Sequence, residues 1–144
     1  MNEANQEIVK ADPDPARAFF AVSLAADTLQ SARTRLLRND YVGALDEAKN
    51  SMRLTSSALL FRDGYVATTF DSAASYLLSH YPGAVPVEEW RYFETAFPGP
   101  SVGLMSQLIR VLGKEKKLDE TEAGKAISTA EAFLRSAKSI LGVP

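Results

Sequence analysis

Between Asp14 and Gly64 the chain reads as one long helical hairpin, and few folds accept such an element. Asp14 offers a side-chain cap, and Pro15 takes the first helical position, where its missing N–H costs nothing. Val22, Ala25, Leu29, Ala32 and Leu36 then recur in alternating steps of three and four. That spacing makes one buried stripe on a helix of roughly six turns. The turn falls at Arg38-Asn39-Asp40, and Asp40 caps a second helix whose stripe is Tyr41, Leu45, Ala48, Met52, Thr55 and Leu59. Leu54, Ala58 and Phe61 broaden this face, and Gly64 is a natural left-handed stop. Two long helices joined by so short a turn pack antiparallel.

The remaining elements are shorter. Residues 1–12 are expected as a flexible tail, and residues 13–144 as a single helical domain. Thr68 and Asp71 have the spacing of an acidic capping box, opening a third helix through Ala74, Leu77 and Leu78 that closes at Tyr81-Pro82-Gly83. Pro86 with Glu88 and Glu89 starts a fourth, carrying Trp90, Phe93 and Phe97, until Pro98-Gly99-Pro100 interrupts the path. Ser101 caps a further segment with Leu104, Leu108, Ile109 and Leu112. The last helix carries Ala123, Ala126, Ala130, Phe133, Ala137 and Ile140 in one stripe, supported by Ile127, Leu134 and Leu141. Residues 64–69 are too short and isolated to be expected as part of a strand pair. The expected fold is all-α, an up-and-down antiparallel bundle of four to five main helices, with alanines that let the helices approach closely.

Composition narrows the function classes. Sixteen basic against eighteen acidic residues give a net charge of −2, so the chain lacks the basic excess of a general nucleic-acid binder. With no cysteine, it has neither disulfides, nor thiolate zinc sites, nor a cysteine nucleophile, which suits a reducing cytoplasm. The polar N-terminus has no signal-peptide core, and no apolar run is long enough for a membrane span, so a cytoplasmic location is expected.

The long first helix, the Asn39-Asp40-Tyr41 turn, the Ala-rich second helix from Tyr41 to Gly64, and the final Ala-x-x-Phe-Leu helix over 126–141 together resemble the HEPN superfamily across about residues 16–141. The resemblance implies a helical bundle, commonly a homodimer, that either cleaves RNA without metal, binds nucleotide or RNA, or pairs with a minimal nucleotidyltransferase. The nuclease branch carries an Arg followed four to six residues later by a His. Here Arg110 stands at roughly that place, but Glu115, Lys116 and Lys117 occupy the window for the His, and His80 has no Arg at 73–75. The resemblance therefore implies a member without the nuclease motif.

Each polar constellation has a bland reading beside a functional one. His80 lies at a helix end, with Leu77 where an E-x-x-H metal motif would need Glu, and no metal site or cofactor is expected. Glu88, Glu89 and Glu94 could form a carboxylate cluster, but one histidine cannot complete a diiron set. Arg110, Lys114, Lys116 and Lys117 make the densest basic patch and are the candidate phosphate-binding residues, although Glu115, Asp119 and Glu120 dilute it. Arg33, Arg35 and Arg38 could join Arg53 or Arg62 in a basic groove. Phe93 and Phe97 are expected in the core, with Trp90 kept as a candidate ligand contact. Thr55, Ser56 and Ser57 either satisfy backbone carbonyls or mark an interface.

The leading expectation is a non-catalytic binding subunit, a homodimer because Phe19, Phe20, Leu54 and Phe61 exceed one seam. Its ligand would be nucleotide, RNA or a partner nucleotidyltransferase. The alternatives are a tetratricopeptide-like adaptor, which lacks its repeat at residues 73–86, and a divergent ribonuclease using Arg110 with a lysine.

Overall fold

A computed structural model describes residues 8–98 and 118–144 of the chain. Helix α1 spans Pro15–Leu37 and α2 spans Tyr41–Asp63. Both start on the predicted caps: Asp14 accepts from the Arg17 N–H, and Asp40 from the Gly43 N–H, each at 2.9 Å. Asn39 holds the turn between them at φ 63°, a left-handed position that asparagine tolerates better than most side chains. Helix α3 spans Phe70–His80, α4 spans Val87–Ala96, and α5 spans Glu120–Leu141. The architecture is an all-α helical bundle in which α2 is central, touching α1, α3, α4 and α5. No helix among the described residues is long and apolar enough to cross a membrane.

The α1–α2 seam is built from small residues. Ala18, Ala21, Ala25 and Ala32 of α1, with Ala44, Ala48, Ser51 and Ala58 of α2, are all buried. Without bulky side chains the two backbones approach closely enough for Ser51 Oγ to donate to the Ala25 carbonyl at 2.8 Å. Thr55 in turn donates to the Ser51 carbonyl at 2.8 Å, so these buried hydroxyls satisfy backbone acceptors. Helix α5 packs on α1 and α2 through Ala123, Ala126, Ala130, Phe133 and Ala137, the stripe read from its sequence.

Two features depart from the expectations. Residues 8–10, inside the segment expected as a flexible tail, form strand β1 (Ile8–Lys10), which pairs antiparallel with β2 (Tyr65–Ala67) in register Ile8↔Ala67, Val9↔Val66, Lys10↔Tyr65. Backbone bonds from Ala11 N to the Gly64 carbonyl and from Asp14 N to the Phe61 carbonyl extend the lashing to the end of α2. The second departure is the cap of α3, which is Thr69 with Ser72 rather than Thr68 with Asp71. Thr69 Oγ1 accepts from the Ser72 N–H while Ser72 Oγ accepts from the Thr69 N–H, so serine completes the reciprocal box and Asp71 only complements the helix dipole. The segment expected to start at Ser101 lies outside the described residues.

Gly64 is where these pieces meet. Its φ is +86°, and a Cβ there would sit 2.9 Å from the Ala11 carbonyl oxygen. Gly64→Ala is therefore expected to destabilise the fold by about 1–3 kcal/mol, combining left-handed strain with a backbone clash that loosens β1. Urea unfolding would show it, and a loss below a few tenths would mean that the Ala11–Gly64 contact is not held in solution.

Candidate partner-binding surface

Lys49 is the most unusual side chain in the interior. It is 1% exposed, on the inner face of α2 one turn after Leu45. Its Nζ donates to the Phe97 carbonyl at the end of α4 and lies 3.8 Å from Glu94 Oε1. Glu94 also accepts both arms of the Arg53 guanidinium at 2.7 Å and the Trp90 indole N–H at 3.2 Å. One carboxylate thus serves two cations and an indole, joining α2 to α4. Burial pushes the Lys49 ammonium below its ordinary pKa, and the Glu94 carboxylate opposes that shift. Burial also raises the Asp46 carboxyl, with Lys49 and Arg53 pulling the other way. A lysine with a lowered pKa can be a nucleophile or base, but Nζ here is enclosed, bonded to the Phe97 carbonyl and ion-paired with Glu94. The network therefore fixes the α2–α4 junction.

A second cluster closes the C-terminal end of α3. Asp63 Oδ2 accepts from Tyr76 Oη at 2.8 Å and from Tyr81 Oη. The His80 ring stacks on Tyr76 with centroids 3.9 Å apart, and Nδ1 meets the Tyr76 carbonyl at 3.0 Å. His80 is thereby used within the helix end. Burial and the Asp63 carboxylate raise both phenols, Tyr81 to about 12. Such a phenol keeps its proton in the fold after the unfolded chain has lost it at its ordinary value of 10.0. Stability is then fully present below pH 10 and is lost as pH rises towards 12. Tyrosinate absorbance should show two late-titrating phenols in the native protein, and Asp63→Asn should bring them earlier. Unchanged titration in that variant would remove the clasp.

Of the predicted ligand-binding residues, Trp90 alone lies among the described residues. Arg110, Lys114, Lys116 and Lys117 lie outside the described residues. Trp90 is 1% exposed, edge-on to Phe70 and Phe133, so the candidate ligand contact is a core side chain. One side of it borders a cavity of about 200 Å³ shared with Arg53, Ser56, Phe70 and Ala73. Glu88, Glu89 and Glu94 do not converge, since Glu94 turns inward, Glu88 pairs with Arg91, and Glu89 faces α5. Among the described residues no group of three His, Asp or Glu side chains could hold a metal ion. The basic groove is not assembled either: Arg33 pairs with Glu131, Arg35 with Asp40, and Arg53 with Glu94.

Two larger surfaces among the described residues are also open to a ligand. Between α4 and α5 lies a groove of about 840 Å³ whose walls include Tyr92, Phe93 and Ser128. Among the described residues its charges are Glu89, Glu122 and Lys125. The other surface is the outward side of α1. Phe19 is 57% exposed, Phe20 63% and Leu24 38%, while the inward side of the same helix is fully buried. Phe61, by contrast, is half-buried and carries the Arg17 guanidinium 4.3 Å above its ring.

Of the four residues expected to exceed one seam, Phe19 and Phe20 are exposed, whereas Leu54 and Phe61 are partly buried against the core. The Lys49 network was missed. Its signal was present: Lys49 lies four residues after Leu45 and three before Met52, on the face those two define. Comparison with family models, curated proteins and solved structures finds no match to this chain.

Proposed function

We propose that this protein works by binding rather than catalysis, as a cytoplasmic homodimeric bundle that serves as a partner-binding subunit. The observation that carries the reading is the cluster of Phe19, Phe20 and Leu24 facing solvent from α1. Two adjacent phenylalanines left more than half exposed are costly in water unless another surface covers them. The commitment of Lys49, Glu94, Arg53, Asp63, Tyr76 and Tyr81 to one another supports the same reading, since these groups hold helices together. A HEPN-like descent adds a minimal nucleotidyltransferase as the partner class and nucleotide or RNA as a further ligand; both rest on the sequence resemblance.

Native mass spectrometry of the protein freshly purified from its own host tests the proposal. A dimer, with or without a second polypeptide or nucleotide, is the expected species. A bare monomer at micromolar concentration would overturn it.

A further inference from the structure

Resting on that homodimer reading, we infer that two copies pair through α1 in antiparallel orientation, about a twofold axis passing level with residue 22. Arg17, Phe20, Leu24 and Asp27 follow one another at steps of three, four and three, and all four are exposed. They form a single ridge on the outward side of α1, ordered cation, apolar, apolar, anion. A twofold interface requires a surface that complements itself when reversed, and this order does so. Turned end for end, Phe20 of one copy lies level with Leu24 of the other, and Arg17 lies level with Asp27. The arrangement repeats symmetrically on the other side of the axis.

The charges select this orientation. Arg17 and Asp27 are the only charged residues between positions 17 and 27, and neither has an ion-pair partner among the described residues. Antiparallel pairing supplies both partners at once and keeps the like charges about 15 Å apart along the helix. Parallel pairing in register would set Arg17 against Arg17 and Asp27 against Asp27. Arg17 is also held in place, because its guanidinium carbon lies over the Phe61 ring, 4.3 Å from the centroid. A guanidinium placed over a ring can still donate its N–H groups to a carboxylate.

Two reversed charges test the pairing by sedimentation at low salt. Arg17→Asp and Asp27→Arg should each weaken self-association by about tenfold or more, because each homodimer then places like charges opposite one another. Mixed in equal amounts, the two variants should recover a dimer within a fewfold of the wild type, since only the heterodimer has both pairs complementary. Wild-type affinity in both single variants, or no recovery on mixing, would overturn this pairing while leaving the homodimer itself standing. A monomeric wild type would instead sink the homodimer reading beneath it. Circular dichroism checks that the variants fold; should either fail, Phe20→Glu, at a position 63% exposed, must give a folded monomer, and a dimer there overturns the inference.

Discussion

Replacing Glu94 by alanine is expected to cost about 3–5 kcal/mol, a large share of the stability of a domain this size. The carboxylate accepts from Arg53 and the Trp90 indole N–H and is ion-paired with Lys49. Its removal leaves the Lys49 ammonium 1% exposed, with the Phe97 carbonyl as its hydrogen-bond acceptor among the described residues and the Asp46 carboxyl as a weaker counter-charge. Arg53 is half-exposed and can turn to water, so its lost pair contributes little. The expected loss therefore comes from stranding Lys49. Lys49→Met should be far milder, within about 2 kcal/mol, because methionine fills the same volume and Glu94 keeps Arg53. The two variants also differ in pH dependence. Since burial lowers the Lys49 pKa, the unfolded chain holds this proton at pH values where the fold has released it. The lysine's contribution is thus present above the ordinary value of 10.5 and is lost as pH falls through the lowered one. Lys49→Met should flatten that slope. Chemical denaturation measures all of this, and equal losses in Glu94→Ala and Lys49→Met would show that no stranded charge is involved.

The difference between what the sequence disclosed and what it did not follows the range of the interactions. Caps at Asp14 and Asp40 and the stop at Gly64 are local, so spacing alone locates α1 and α2. The β1–β2 pair joins two three-residue strands more than fifty residues apart, where propensity carries almost no information. Thr68 and Thr69 are equally good caps in isolation, and only Ser72 reaching back to the Thr69 N–H decides between them. Trp90 was separable from Phe93 and Phe97 by its indole N–H, and the partner of that group is Glu94 one turn later on the same helix. The carboxylate cluster expected of Glu88, Glu89 and Glu94 does not form. The position of Glu94 beyond the other two turns it inward to α2, where Lys49 and Arg53 meet it. On a purely apolar stripe Lys49 would be an interruption; bonded to the Phe97 carbonyl and ion-paired with Glu94, it becomes the tie between α2 and α4.

Trp90→Ala is the other substitution expected to cost about 3–5 kcal/mol. The indole is 1% exposed, and its edge-on contacts reach Phe70 at 4.6 Å and Phe133 at 5.6 Å. Truncation would open a cavity between α3, α4 and α5 while also withdrawing a donor from Glu94. Trp90→Phe separates these two effects: it preserves most of the ring contacts and loses only the N–H, so about 1–2 kcal/mol is expected. Because Glu94 receives that N–H, Trp90→Phe should cost less when Glu94 has already been replaced by alanine, a coupling that a double-mutant cycle measures directly. As the sole tryptophan of the chain, Trp90 also reports its own environment. Its fluorescence should be blue-shifted in the native protein and shift red only with global unfolding. The same signal distinguishes core from ligand contact: a nucleotide bound in the adjoining cavity of about 200 Å³ would quench it. Saturable quenching by nucleotide, together with a Trp90→Phe variant as stable as the wild type, would restore Trp90 as a binding residue. Unchanged emission with the expected loss of stability would assign its role to the core alone.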